Sequence, residues 1–198
     1  IPMDGDGEDR PEEILSLLEK TREFSNAPIV GARVKRTEGF IFQSCYFIHK
    51  FLTFVLTGKK INFGNYTCLP YSTVEKLLND KAIWSSFSGA LAKVEKIKYS
   101  VPSVRGNRYF GPSKMSFPNL LIHSLSIMGV FLKNVFLRSF LFLTIYLFFI
   151  FSKISFITLL PVFFLILLFF ILFFISKRED FSELKNSLLN ISEIQEIK

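Results

Sequence analysis

From Ile154 to Ile175 the chain reads ISFITLLPVFFLILLFFILFFI, twenty-two residues without a charge. A helix needs about 20 such residues, at about 1.5 Å each, to cross a hydrocarbon core of about 30 Å. The segment therefore predicts a transmembrane helix and excludes a wholly soluble globule. A second run, Val135 to Phe151, carries only Arg138 and is separated from the first by Ser152 and Lys153. Backbone polar groups in lipid must be satisfied within the spanning segment, so the two runs predict a helical hairpin, with Pro161 at most kinking its second arm. Lys133, Arg138, Lys177 and Arg178 flank the outer ends, against Lys153 alone in the turn. That bias predicts a multi-pass protein of the cell (inner) membrane with both termini in the cytoplasm.

The rest of the chain divides around this hairpin. Residues 1–113 read as a mixed α/β portion, 114–133 as a juxtamembrane amphipathic stretch, 134–176 as the two spans and 177–198 as a polar cytoplasmic tail. The first twenty residues are acidic rather than basic and apolar, which is not a signal-peptide pattern. Cys45 and Cys68 lack metal-ligand spacing and are expected to be reduced thiols. His49 and His123 have no partner at a spacing that suggests a triad or a metal site, so each is expected to be a packing or interfacial residue.

Charge is unevenly placed in the 1–113 portion. Residues 1–26 hold eight acidic and three basic residues, whereas residues 93–114 hold six basic and one acidic. One pole suits a cation and the other suits phosphate or an anionic membrane surface. Pro11 as a first helical residue, with Glu12 and Glu13 behind it and Ile14, Leu17 and Leu18 at helical spacing, predicts a helix over about 11–24. A strand is expected over 27–33, and an apolar helix over 40–56 that packs on the core or dips into the bilayer surface. Further helices are expected over 72–78 and 81–92, a strand near 96–101, and an interfacial helix using Leu120, Leu121, Leu125, Met128 and Leu132.

The acidic opening, IPMDGDGEDRPEEI, is the stretch richest in chemistry. If Ile1–Met3 ends a strand, Asp4 and Asp6 share one face of an extended segment at the carboxyl edge of a sheet, where open α/β folds bind ligands. Two hard oxygen ligands there suit Mg²⁺ or Mn²⁺, which bind through one or two carboxylates together with substrate phosphates. Taken alone, the pattern is equally that of an acidic loop ahead of a helix.

Four blocks in order change that balance: MDGDGEDRPEEI, VGARVKRTEG, NFGNYTCLPYSTVEKL and VRGNRYFGPSKMSF, followed by the apolar hairpin. Together they resemble family 2 glycosyltransferases, specifically the membrane-anchored, dolichol-phosphate-mannose-synthase-like group that acts on polyprenyl phosphates. The resemblance implies an α/β fold, the C-terminal part of a GT-A-type nucleotide-diphospho-sugar transferase domain, followed by a two-helix transmembrane hairpin. It implies transfer of one sugar from a UDP- or GDP-sugar to a membrane lipid, with polyprenyl phosphate as the expected acceptor and Mg²⁺ or Mn²⁺ as cofactor. Asp4 and Asp6 would be metal and diphosphate ligands and Glu8 a third contact. Arg33, Arg105, Arg108 and Lys114 would hold donor or acceptor phosphates, and Asn65 would lie on the acceptor side. Nucleic acid is not an expected partner, and a homo-oligomer is left open.

Two departures from the family pattern carry expectations of their own. Where many relatives have an Asp in the acceptor block, this chain has Asn62, Gly64 and Asn65, so the catalytic base is unassigned and Asp80 is only a remote candidate. The units that hold the base and ribose precede the Asp-x-Asp block in the family, so the chain is expected to be a C-terminal fragment, or the product of a truncated gene, and inactive alone. Trp84 lies in DKAIWSS, which lacks the Gln-x-x-Arg-Trp pattern of processive synthases, so a single-sugar transferase is favoured. The rivals are a non-catalytic membrane-anchored interaction protein, and a transferase acting on another lipid, such as a diacylglycerol, or on a glycan.

Overall fold

The computed structural model describes residues 1–33, 40–111 and 116–178, with Ser182, Asn186 and Leu189 beyond them. It is a mixed α/β structure with a small sheet and two long apolar helices at its C-terminal end. A short 3₁₀ turn, Pro11–Glu13, leads into α1 (Ile14–Glu23), with Pro at the first position and Glu12 and Glu13 at the positive end of the helix dipole. Strand β1 (Ile29–Arg33) follows. Strand β2 (Thr67–Cys68) pairs antiparallel with β1, and β3 (Tyr99–Ser103) pairs parallel with it on the other side, giving the order β2-β1-β3.

Successive side chains of β1 point to opposite faces of the sheet. Ile29 joins Leu17, Tyr66 and Cys68 under α1, while Val30 joins Leu77, Ala82, Ala90 and Leu91 on the other face. The second cluster is built by α3 (Tyr71–Leu78), α4 (Ala82–Ser85) and α5 (Phe87–Val94).

The single helix expected over 81–92 is two helices. Ser86 sits between them in an extended conformation, φ −159° and ψ 115°, and its hydroxyl accepts from the Gly89 N–H at 3.2 Å. Capping at Ser86 competes with helix continuation because a serine hydroxyl satisfies an otherwise orphaned amide of the next helix. Ser86→Ala is expected to cost about 1 kcal/mol, read as a lower unfolding midpoint.

A third cluster is separate from the sheet. Leu56 of α2 (Phe40–Thr57), Met128 of α6 (Phe117–Gly129), Val135 of α7 (Leu132–Ile150) and Leu172 of α8 (Phe156–Ser176) are buried together. Helices α7 and α8 run antiparallel. Phe136 packs on Phe169 with ring centroids 5.4 Å apart, and the Tyr146 hydroxyl donates to the Thr158 carbonyl at 2.8 Å. Both are long and apolar enough to cross a membrane, with most of their surface outward. Pro161 lies within α8, and Ser155 and Thr158 form a capping box at its start.

Candidate functional site

The acidic opening and the basic loop meet, although about a hundred residues separate them in the chain. Strands β1 and β3 are parallel and end side by side, with Arg33 opposite Ser103. The chain leaving β3 therefore emerges at the carboxyl edge of the sheet, the edge where open α/β folds place ligands. There it runs against residues 4–10. The Gly106 N–H donates to the Glu8 carbonyl at 2.9 Å and the Tyr109 N–H donates to the Asp6 carbonyl at 2.9 Å. The Val104 N–H donates to Glu13 Oε1 at 2.9 Å.

Two glycines permit this contact. Gly7 has φ +91°, which L side chains rarely adopt, and a Cβ on Gly106 would collide with the Gly7 carbonyl oxygen.

Side chains complete the junction. Arg108 Nε donates to Glu8 Oε1 at 2.7 Å, and its Nη2 lies 3.2 Å from Asp6 Oδ2, so one guanidinium bridges two carboxylates. Arg105 pairs with the other oxygen of Glu8. Glu8 is the most enclosed member, its side chain 12% exposed, against about a third for Arg105 and Asp6. Burial and the neighbouring Arg108 charge lower the Arg105 pKa, opposed by Asp6 and Asp4. Arginine remains charged throughout the physiological range regardless.

The acidic loop is a turn and not the end of a strand. Ile1–Met3 lies outside the sheet, and Asp4–Glu8 folds on itself. The Glu8 N–H donates to Asp6 Oδ1 and the Asp4 N–H donates to Asp9 Oδ2, each at 3.0 Å. Short acidic side chains capture nearby amides in this way, which overrides the extended geometry expected for Asp4 and Asp6.

Tyr66 and Glu13 also hold the loop, and motif reading singled out neither. The Tyr66 hydroxyl donates to the Arg10 carbonyl at 2.8 Å, and its pKa is raised by burial and by Glu13, Asp9 and Glu12. Gly31 makes room for it, since a Cβ there would stand 2.9 Å from the Tyr66 ring.

The remaining candidates fall elsewhere. Asn65 is exposed in the loop before β2. Asp80 is committed to the α4–α5 corner, accepting from the Ala82 N–H at 2.9 Å and pairing with Lys93 at 2.9 Å. Lys114 and the Arg33 side chain lie outside the described residues.

The donor set suits Mg²⁺ or Mn²⁺ in kind, being hard carboxylate oxygen, with Asp4 exposed. Asp6, however, already carries Arg108 on one oxygen and the Glu8 amide on the other. A cation at Asp6 and the Asp6–Arg108 pair are therefore alternatives. Among the described residues, no three carboxylate, imidazole or thiol groups converge as a ready cation cage.

Comparison with protein-family models, curated proteins and solved structures finds no match for this chain. The chain is a mixed α/β protein in which an acidic and a basic loop close on one another at one edge of a small mixed sheet.

Proposed function

We propose that the protein is a membrane-anchored glycosyltransferase of GT-A type that moves one sugar from a UDP- or GDP-sugar to a lipid, with polyprenyl phosphate as acceptor. The observation that supports this reading is the junction of Asp6 and Glu8 with Arg105 and Arg108, which brings together carboxylates, suited to a cation, and guanidinium groups, suited to a diphosphate. The two apolar helices that follow suit a lipid acceptor, and α7 and α8 are read as crossing the membrane with the α/β portion on the cytoplasmic side.

On this reading Arg105 and Arg108 take phosphate oxygens as bidentate forks, for which a guanidinium is shaped. Phosphate replaces Glu8 and Asp6 as their partner, and Asp6 is released. Asp4 and Asp6 would then hold Mg²⁺ or Mn²⁺, which supplies charge stabilisation of the departing nucleoside diphosphate. The backbone bonds from Gly106 and Tyr109 keep the two loops together during the exchange.

The mutual neutralisation of these charges favours a second reading, in which the junction is a structural clasp in a non-catalytic membrane protein. Nucleoside diphosphate release from UDP- and GDP-sugars separates the two. It is measured with Mn²⁺ in nanodiscs, with and without polyprenyl phosphate, on the natural chain that carries these residues. The transferase reading expects release that needs the lipid and is lost in Asp4→Asn and Asp6→Asn. Release indifferent to both aspartates, or none with any sugar nucleotide, supports the clasp.

A further inference from the structure

Helix α2 has its polarity inverted. Phe47, Ile48, Phe51 and Phe54 recur at helical spacing on one face and are 53–71% exposed. The opposite face carries Thr53 and Thr57, which are 3% and 1% exposed. Thr57 donates back to the Thr53 carbonyl at 2.6 Å, and the Thr53 hydroxyl lies 3.5 Å from His49 Nδ1. Water would select the reverse arrangement, because burying large apolar side chains is the main favourable term in folding. A helix with Phe47, Phe51 and Phe54 outward and Thr53 and Thr57 inward suits a nonpolar surrounding on its outer face.

The identity of that surrounding follows from what α2 touches. Its C-terminal end is fastened to α7: Arg138 Nη1 donates to the Val55 carbonyl at 3.0 Å and Asn134 Nδ2 to the Thr57 carbonyl at 3.4 Å. Leu56 is buried with Val135 and Leu172, so α2 packs on the apolar helix pair. Cations gather at this end of all three helices. Lys59 and Lys60 follow α2, Lys133 lies in the first turn of α7, and Lys177 and Arg178 follow α8. The Lys59 ammonium stands 6.0 Å from the Phe131 ring, at the entrance to α7. Lysines bordering an apolar face match an anionic headgroup layer.

We infer that α2 is a third membrane element, lying in the interface with Phe47, Ile48, Phe51 and Phe54 among the acyl chains and Lys59 and Lys60 at the headgroups. Lys50, near its middle, makes a spanning orientation unfavourable and an in-plane one suitable, since its stem can reach along Tyr46, whose ring lies 5.2 Å from the ammonium. The inference rests on α7 and α8 crossing the membrane.

The test reconstitutes the full chain in phosphatidylcholine–phosphatidylglycerol vesicles with and without brominated acyl chains. Trp84, the only tryptophan, is first replaced by Phe, and single reporters are placed at Phe51→Trp and Phe47→Trp on α2 and at Phe163→Trp on α8. Each is an aromatic exchange at an outward position, which keeps the fold. Acyl-chain contact predicts blue-shifted emission at all three reporters and bromine quenching of about twofold or more. Quenching at Phe163→Trp but not at the α2 reporters overturns the inference and leaves the hairpin in the membrane, whether the α2 face then meets water, a second copy or another protein. No quenching at any reporter overturns both.

Discussion

Glu8→Ala is expected to lower stability by about 2 kcal/mol by removing the carboxylate that Arg105 and Arg108 share, while the backbone bonds between the loops remain. Removing one partner of a buried ion pair costs about 3–5 kcal/mol because the other charge is left uncompensated. Here the two arginines remain about a third exposed and recover part of that by hydration, which reduces the figure. The check is the unfolding midpoint of Glu8→Ala, Arg108→Ala and the double variant in one detergent. If Arg108 acts through Glu8, the double variant loses at least about 1 kcal/mol less than the sum of the singles. Additive losses would mean that the 2.7 Å contact contributes nothing specific.

Gly106→Ala is expected to do comparable damage by a different route. The new methyl would meet the Gly7 carbonyl oxygen, which belongs to backbone and cannot swing aside. Overpacking of this kind costs about 1–3 kcal/mol, and the loops must part to relieve it. Parting them breaks the Gly106–Glu8 backbone bond and misaligns both arginines with Glu8. Gly5→Ala is the matched control: a Cβ there meets nothing within 4 Å, so the change should be nearly neutral. Equal midpoints for the two variants would show that the close approach does not constrain the junction.

The two variants also mark where sequence reasoning reached and where it stopped. Helix α1, strand β1 and the apolar pair were legible because each depends on local pattern: proline and acids at a helix start, a bounded apolar run, long uncharged stretches. The break at Ser86 was hidden because a hydroxyl cap competes with helix continuation only once neighbouring packing favours the turn. In the site, the charge poles showed that an acidic and a basic stretch existed, and the blocks named Asp6, Arg105 and Arg108 as candidates. They did not show that Glu8 would be the hub, because its role depends on the parallel pairing of β1 with β3, a contact between distant parts of the chain. Tyr66 and Glu13 were missed for the same reason. The adjacent Gly31 was a usable signal, since glycine in a strand marks close approach by another group.

Helix α2 shows the complementary case. Its composition left open whether it packs on the core or meets the bilayer. Only the structure reveals that Thr53 and Thr57 are buried while Phe47, Phe51 and Phe54 are exposed, with Leu56 packed among α6, α7 and α8.

The central claim is that the junction binds a diphosphate by exchanging its internal ion pairs. The most direct measurement is equilibrium dialysis of radiolabelled pyrophosphate, UDP and GDP against the protein in nanodiscs, with and without Mn²⁺, comparing wild type with Asp4→Asn, Asp6→Asn and Arg108→Ala. The account predicts Mn²⁺-dependent retention that falls at least about tenfold, or about 1.4 kcal/mol, in each variant. Retention that is absent in the wild type, or equal in all four proteins, would contradict it and leave the junction as a clasp.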